Sequence, residues 1–207
     1  MKKNKLIFGI ILFLFLVLSA ACNGRNNHVA TISATPESDY VATFDKLNLG
    51  NLFDFEIKLP KGENKWITLW VDSYIDGIKD PEPLIRLSFS STPDEKIQDH
   101  LGFAMMSLNA EETYAYVSLY GPNVSGRREV DHLLREDIFN TLEYAISDKA
   151  VGIELGEEKL LAVYRETKGS AVHSLNFDDE QVIEKAIEEN DLVYLLKIMI
   201  EEEHTSK

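Results

Sequence analysis

A single cysteine, Cys22, is all the thiol chemistry this chain of 207 residues offers. With no second thiol it has no partner for an internal disulfide, a CxxC pair or a sulfur-rich zinc site. Positive charge is short as well. The 21 Lys and Arg stand against 35 Asp and Glu, a formal charge of −14, and such a surface repels phosphate-rich polymers and anionic headgroups, which argues against nucleic acid as a partner. Catalytic signatures are missing: there is no Gly-x-Ser-x-Gly elbow, no phosphate loop, no GxGxxG, no HExxH and no calcium loop of spaced acids. Histidines occur at 28, 100, 132, 173 and 204 only, with no pair at ligand spacing on one element, so no metal or other cofactor is expected. There is no internal repeat, and the length suits one domain with a sizeable core rather than two.

What the chain does have begins at its first residues. A basic start (Lys2, Lys3, Lys5) leads into an apolar run from Leu6 to Leu18, then Ser19-Ala20-Ala21 and Cys22. That is the layout of a secretory signal peptide. The run is shorter than the roughly 20 residues a spanning helix needs, although the small residues bring it near the lower limit, and a transmembrane anchor is the alternative.

Together the small residues and the cysteine resemble the lipobox of bacterial lipoproteins. Ala20 and Ala21 suit the small-residue positions. Ser19 stands where such signals usually carry leucine, with Leu18 one place further out. The resemblance covers about a tenth of the chain. It implies cleavage after Ala21, a diacylglyceryl group on the Cys22 sulfur, often acylation of the new amino terminus, and a protein held on the extracytoplasmic face of a bacterial membrane. Several acyl chains on one residue, each methylene contributing about 0.8 kcal/mol, make a lasting anchor. Loss of residues 1–21 removes three lysines and no acid, taking the formal charge to −17. Asn23 is not the aspartate that retains some lipoproteins at the inner membrane.

Residues 23–39, "NGRNNHVATISATPESD", are polar and nearly free of large apolar groups, and read as a flexible tether with a reach on the order of 20–25 Å. A single mainly antiparallel β domain is expected over 40–203. "LFDFEIKLP" places Phe53, Phe55, Ile57 and Leu59 on one side and Asp54, Glu56 and Lys58 on a wet side. "KWITLWVDSYIDG", "PLIRLSFSS", "HLGFAMMSL" and "TYAYVSLYG" supply four more strands, with Asp76-Gly77 a tight turn and "NAEE" a hairpin loop. Residues 121–137 read as a loop with a short helical turn near Val130–Leu134. "AVGIELGEEKLLAVYRET" reads as a hairpin turning at "GEE", and "FDDEQVIEKAIEEN" as a helix capped by Asp178 or Asp179. "LVYLLKIMIEEE" fits helix and strand alike; it is read as a closing strand, being apolar on both faces after the break at Asn190-Asp191. The expected fold is therefore mainly β, an antiparallel sheet or β-sandwich with one helix near the C-terminus, α+β being the alternative.

Aromatic residues give the one patterned candidate for binding. Trp66, Trp70 and Tyr74 share one face of a strand, and Tyr114, Tyr116 and Tyr120 one face of another. Exposed, such rows would stack on sugar rings or grip an extended peptide; the competing expectation is that the helix or a second sheet covers them. Asp72, Asp76, Asp131 and Glu154 lie on or near strands and read as solvated edges and turn caps. The adjacent Asp131 and His132 point different ways and make no dyad. Two functions stay open: a non-catalytic module binding an envelope protein, peptide or polymer, and an envelope hydrolase with a site assembled from dispersed carboxylates. A flat patch or free strand edge marks the first, a concave pocket with convergent polar groups the second.

Overall fold

Alternation of apolar and polar residues dominates the chain, and the computed structural model turns it into two antiparallel sheets. It describes residues 28–62, 64–92, 94, 96–106, 114–131, 139–168, 173–179 and 181–202. The signal segment with Ala21 and Cys22, the "NAEE" loop, His132 and the side chains of Tyr114 and Asp131 lie outside the described residues.

Among the described residues, twelve strands and two helices follow in order: β1 (His28–Ala34), α1 (Asp39–Leu47), β2 (Gly50–Leu59), β3 (Lys65–Ile75), β4 (Ile78–Lys79), β5 (Ile85–Ser90), β6 (Ile97–Met106), β7 (Tyr114–Gly121), β8 (Val124–Asp131), β9 (Phe139–Tyr144), β10 (Val151–Glu154), β11 (Lys159–Thr167), α2 (Val182–Glu189) and β12 (Leu192–Glu202). Sheet A has the order β10-β1-β2-β6-β7-β8. In sheet B, β4 and β5 both flank β3, followed by β12, β11 and β9. Neither sheet closes on itself, and the fold is mainly β and sandwich-like, as the alternation predicts.

The inner faces share one core. Phe53, Phe55, Ile57, Leu101, Phe103, Val117 and Leu119 from sheet A meet Ile67, Leu69, Val71, Tyr164, Leu196, Ile198 and Ile200 from sheet B. A second apolar patch, Val163, Val193 and Leu195, lies on the outer face of sheet B and is covered by Ile183 and Ile187 of α2. With apolar cover on both faces, β12 is a central strand, and the ambiguous "LVYLLKIMIEEE" resolves as the strand expected. Asp76 (φ 49°) and Gly77 (φ 78°) form the two-residue turn between paired Ile75 and Ile78.

Four expectations are corrected. Part of the stretch read as a tether over 23–39 is strand instead: His28–Ala34 pairs with both β2 and β10, and its alternating residues Ala30, Ile32 and Ala34 are buried, a contribution that low overall hydrophobicity concealed. A second helix, α1, follows at Asp39–Leu47, where alternation was expected from Tyr40. The segment read as a helical turn near Val130 is strand as far as Asp131, paired with β7. The "GEE" hairpin does not form: β10 pairs with β1, while β11 pairs with β12 and β9. Each arm has the strand period, but the link carries the chain from one sheet to the other, with Gly156 at φ 75° and its N–H donated to Ile200 O at 2.8 Å. Among the described residues no helix is long and apolar enough to cross a membrane.

Candidate functional site

Asp54 was expected on the wet side of its strand, yet it is 0% exposed. It sits on the outer face of sheet A, where solvent would reach it if α1 did not lie across β2. Local sequence explains that helix. Ser38 caps it by accepting from the Val41 N–H at 3.3 Å, Asn48 ends it in the left-handed conformation (φ 51°), and Tyr40 and Phe44, four apart, share one face.

A carboxylate this deep needs donors, and three converge. The Tyr120 hydroxyl donates to Oδ1 at 2.6 Å, the Thr35 hydroxyl to Oδ2 at 2.8 Å, and His100 Nδ1 lies 2.8 Å from Oδ2. Register makes this possible. Asp54 is paired with Gly102 of β6, and Gly102 with Tyr120 of β7, so the three form one row across the outer face. Gly102 is the gap in the row. A side chain there would collide with the Phe53 carbonyl oxygen and lie 2.6 Å from the Tyr120 hydroxyl, so only glycine lets the tyrosine reach across it. His100 stands two residues along β6, on the same face.

The backbone is satisfied by a different route. β1 leaves the sheet after Ala34, so the Asp54 N–H has no ladder partner there and donates instead to the Tyr144 hydroxyl at 3.2 Å; Thr35 N–H donates to Asp54 O at 2.9 Å. Tyr144 comes from sheet B and packs edge-on against Phe53 and Phe55, with centroids 5.2 and 5.3 Å away. Burial, reinforced by the Asp54 charge, pushes the Tyr120 hydroxyl far above the ordinary phenol range. The Tyr144 hydroxyl is raised chiefly by burial.

This chain matches no family model, no curated protein and no solved structure. Its function is therefore argued from the site itself.

A carboxylate oxygen accepts, so the 2.8 Å contact makes His100 Nδ1 the donor and turns Nε2 away from Asp54. Tyr40 covers that ring edge-on, with centroids 5.0 Å apart, and leans toward Tyr120 at 6.3 Å, while remaining 52% exposed. Two hollows meet at Tyr40 and His100. The larger, a cleft of about 1120 Å³, is lined by Thr35 to Tyr40, Glu56, Tyr144 and Ile146 to Asp148. The smaller, about 450 Å³, runs beneath Phe44 over Leu52, Ala104, Ser118 and Tyr120. Hydrogen bonds from Lys58 and Gln98 hold the Glu56 carboxyl below its usual range. The arrangement can clamp a ligand between an aromatic ring and a fixed imidazole, or take a proton at Nε2. Among the described residues no three His, Cys, Asp or Glu are grouped to hold a metal ion.

The aromatic rows occupy opposite outer faces and form no common surface, since β3 lies in sheet B and β7 in sheet A. On β3, Trp66 is 39% exposed but Trp70 only 6%, flanked in register by Arg86 and Lys197. Tyr74 packs against the patch that α2 covers. On β7, Tyr116 lies under the Arg127 guanidinium at 4.7 Å, and Tyr120 is committed to Asp54. Of the carboxylates expected on edges, Asp72 is buried, its Oδ2 held at 3.0 Å by both Lys79 and Lys197. Burial opposes its charge, but the two ammonium groups prevail and keep its carboxyl below the usual range.

Sequence reasoning missed Asp54, His100 and Tyr40. The cap at Ser38 and the stop at Asn48 would have located α1, and a helix crossing β2 would have put Asp54 under cover.

Proposed function

We propose that the chain is a lipoprotein held through Cys22 on the extracytoplasmic face of a bacterial membrane, a non-catalytic module that binds an envelope protein, peptide or polymer in the cleft beneath α1. The anchor reading is supported by the basic start, apolar run and small residues that end at Cys22. The binding reading is carried by the buried Asp54 carboxylate. The core does not need a charge there, and the carboxylate costs free energy to bury. Its effect is to hold His100 and Tyr120 rigidly beneath an exposed tyrosine, which is how a first set of contacts is kept in place for a ligand.

A hydrolase is the second reading, favoured by one observation: an aspartate bonded to Nδ1 leaves Nε2 free to take a proton from water. Among the described residues no hydroxyl or thiol is bonded to Nε2 as a nucleophile would be. The test is affinity capture from an envelope extract with the full lipidated chain in detergent, comparing wild type with Tyr40→Ala, His100→Ala and the remote Trp66→Ala. The binding reading requires a component retained by wild type and Trp66→Ala but lost by Tyr40→Ala. Retention by Tyr40→Ala sinks it. Chemical turnover of that component, abolished by His100→Ala while capture persists, gives the second reading instead.

A further inference from the structure

The outer face of sheet B carries a groove of about 410 Å³ that shares no lining residue with the cleft beneath α1. The geometry points to a second binding site there, independent of the cleft and of the lipid attachment, that takes a neutral oligosaccharide. Register sets out its floor. β3 brings Trp66, Thr68 and Trp70 to one face; Ser88 of β5 stands beside Thr68 and Arg86 beside Trp70, while Glu201 of β12 stands beside Trp66. The two indoles are four residues apart, about 13 Å at the usual strand rise, and the small hydroxyl side chains lie between them. The volume is that of a small-molecule site.

One wall is built before any ligand arrives. The link from β4 to β5 gives Pro81 and Pro83 to the lining and is pinned at both ends: Asp80 N–H donates to Ser73 O at 2.9 Å and Leu84 N–H to Val71 O at 2.8 Å. Arg128 of β8 donates to Leu84 O at 2.6 Å from the other sheet. A wall with fixed proline geometry needs little ordering when a ligand binds.

Polar groups decide what the groove accepts. The Thr68 and Ser88 hydroxyls are bonded to each other at 3.1 Å, so one proton of the pair and the spare lone pairs are left for a ligand. Asp72, Glu158 and Glu201 are balanced by Lys79, Arg86 and Lys197, and Asp80 and Glu82 of the link lie outside the lining. Asp72 is tied to Lys79 and Lys197, and Glu158 to Lys197. Among the described residues Arg86 and Glu201 have no ion-pair or hydrogen-bond partner, and they stand toward opposite ends, beside Trp70 and Trp66. Trp66 is 39% exposed and offers its ring. A free donor at one end, a free acceptor at the other, hydroxyls between and an indole for stacking match a run of pyranose rings, whose faces are apolar and whose edges both donate and accept. A balanced lining does not attract a charged polymer, and an acidic one is repelled by the chain as a whole. An extended peptide finds no free edge, because β3 is paired on both sides from Trp66 to Val71.

Trp66 and Trp70 are the chain's only tryptophans, so its indole emission reports on this groove. The full chain, in a detergent without a sugar headgroup, is titrated with chitotetraose and cellotetraose as neutral probes, tetragalacturonate as the acidic one and tetra-alanine as the peptide. The expected result is a saturable change with at least one neutral tetrasaccharide, about tenfold weaker binding of tetragalacturonate and no response to tetra-alanine. By calorimetry, Trp66→Ala and Arg86→Ala should each weaken saccharide binding about tenfold, with unchanged urea midpoints because both side chains are exposed, while Tyr40→Ala binds as wild type. Emission unmoved by both neutral probes overturns the inference, as does equal or tighter binding of tetragalacturonate or tetra-alanine, or binding that either groove variant leaves intact. Saccharide binding lost in Tyr40→Ala gives the ligand to the cleft and overturns a separate site.

Discussion

Removing one hydroxyl, Tyr120→Phe, tests whether the buried carboxylate depends on its donors. Thr35 and His100 both bind Oδ2, so Oδ1 keeps Tyr120 as its bonded partner among the described residues. A hydrogen bond to a charged group contributes about 1.5–3 kcal/mol, and leaving a buried acceptor unmade costs its desolvation. Since Asp54 is fully buried, the expected loss is about 2–3 kcal/mol, read as a lower urea midpoint at pH 7 with an unchanged slope. A domain of this size would lose about 4–12 °C in Tm. Asp54→Asn supplies the second arm. A neutral acceptor makes a bond about half as strong, so Tyr120→Phe should cost about 1 kcal/mol less in that background. If Tyr120→Phe shifts stability by under about 0.5 kcal/mol and the coupling is near zero, the carboxylate does not rely on the tyrosine and the reasoning fails.

Gly102→Ala should destabilise by about 1–3 kcal/mol, since the new methyl meets backbone and the Tyr120 ring, and should cost less in the Tyr120→Phe background; equal cost in both would show that Gly102 makes no room for the tyrosine. Lys197→Met leaves Asp72 with Lys79 alone, and about 1–3 kcal/mol should be lost in a urea titration. At alkaline pH, Tyr120, Tyr164 and Tyr194 all ionise above the ordinary phenol range, chiefly through burial, with Asp54 acting on the first and Glu166 on the other two. Their contribution is complete below about pH 10 and declines above it as the unfolded chain ionises first, by up to about 1.4 kcal/mol per pH unit per tyrosine. Urea midpoints at pH 8, 10 and 11 would measure this, and a flat profile contradicts it. Cys22→Ser should leave a protein that takes up no lipid label; persistent labelling removes the anchor.

Strand positions were legible because the core demands a period of two: Phe53, Phe55 and Ile57 face inward as their spacing requires. Partner choice was not legible, since Ile153 and Leu161 have the same strand character whether their strands pair or part, and here they part into different sheets. The tether misled for a thermodynamic reason. Ala30 and Ala34 bury little area each, and β1 is held by ladders to two neighbours rather than by its own apolar content. Asp54 reads as a solvent-facing acid because no single-strand pattern contains the helix that crosses above it. Nor does any local motif join it to His100, 46 residues away, which the β2–β6 register brings alongside. Trp70 illustrates the reverse case: its strand face was correct, but it is flanked in register by Arg86 and Lys197 and is only 6% exposed, and long charged side chains with apolar stems are poorly read as cover.

The most direct measurement is hydrogen exchange along the lipidated chain with and without the component it captures from the envelope. Binding beneath α1 should slow exchange in residues 35–48 and 98–102, where Tyr40, His100 and their supports lie. Slowing confined to the outer face of sheet B around Trp66, or no slowing at all, would contradict it.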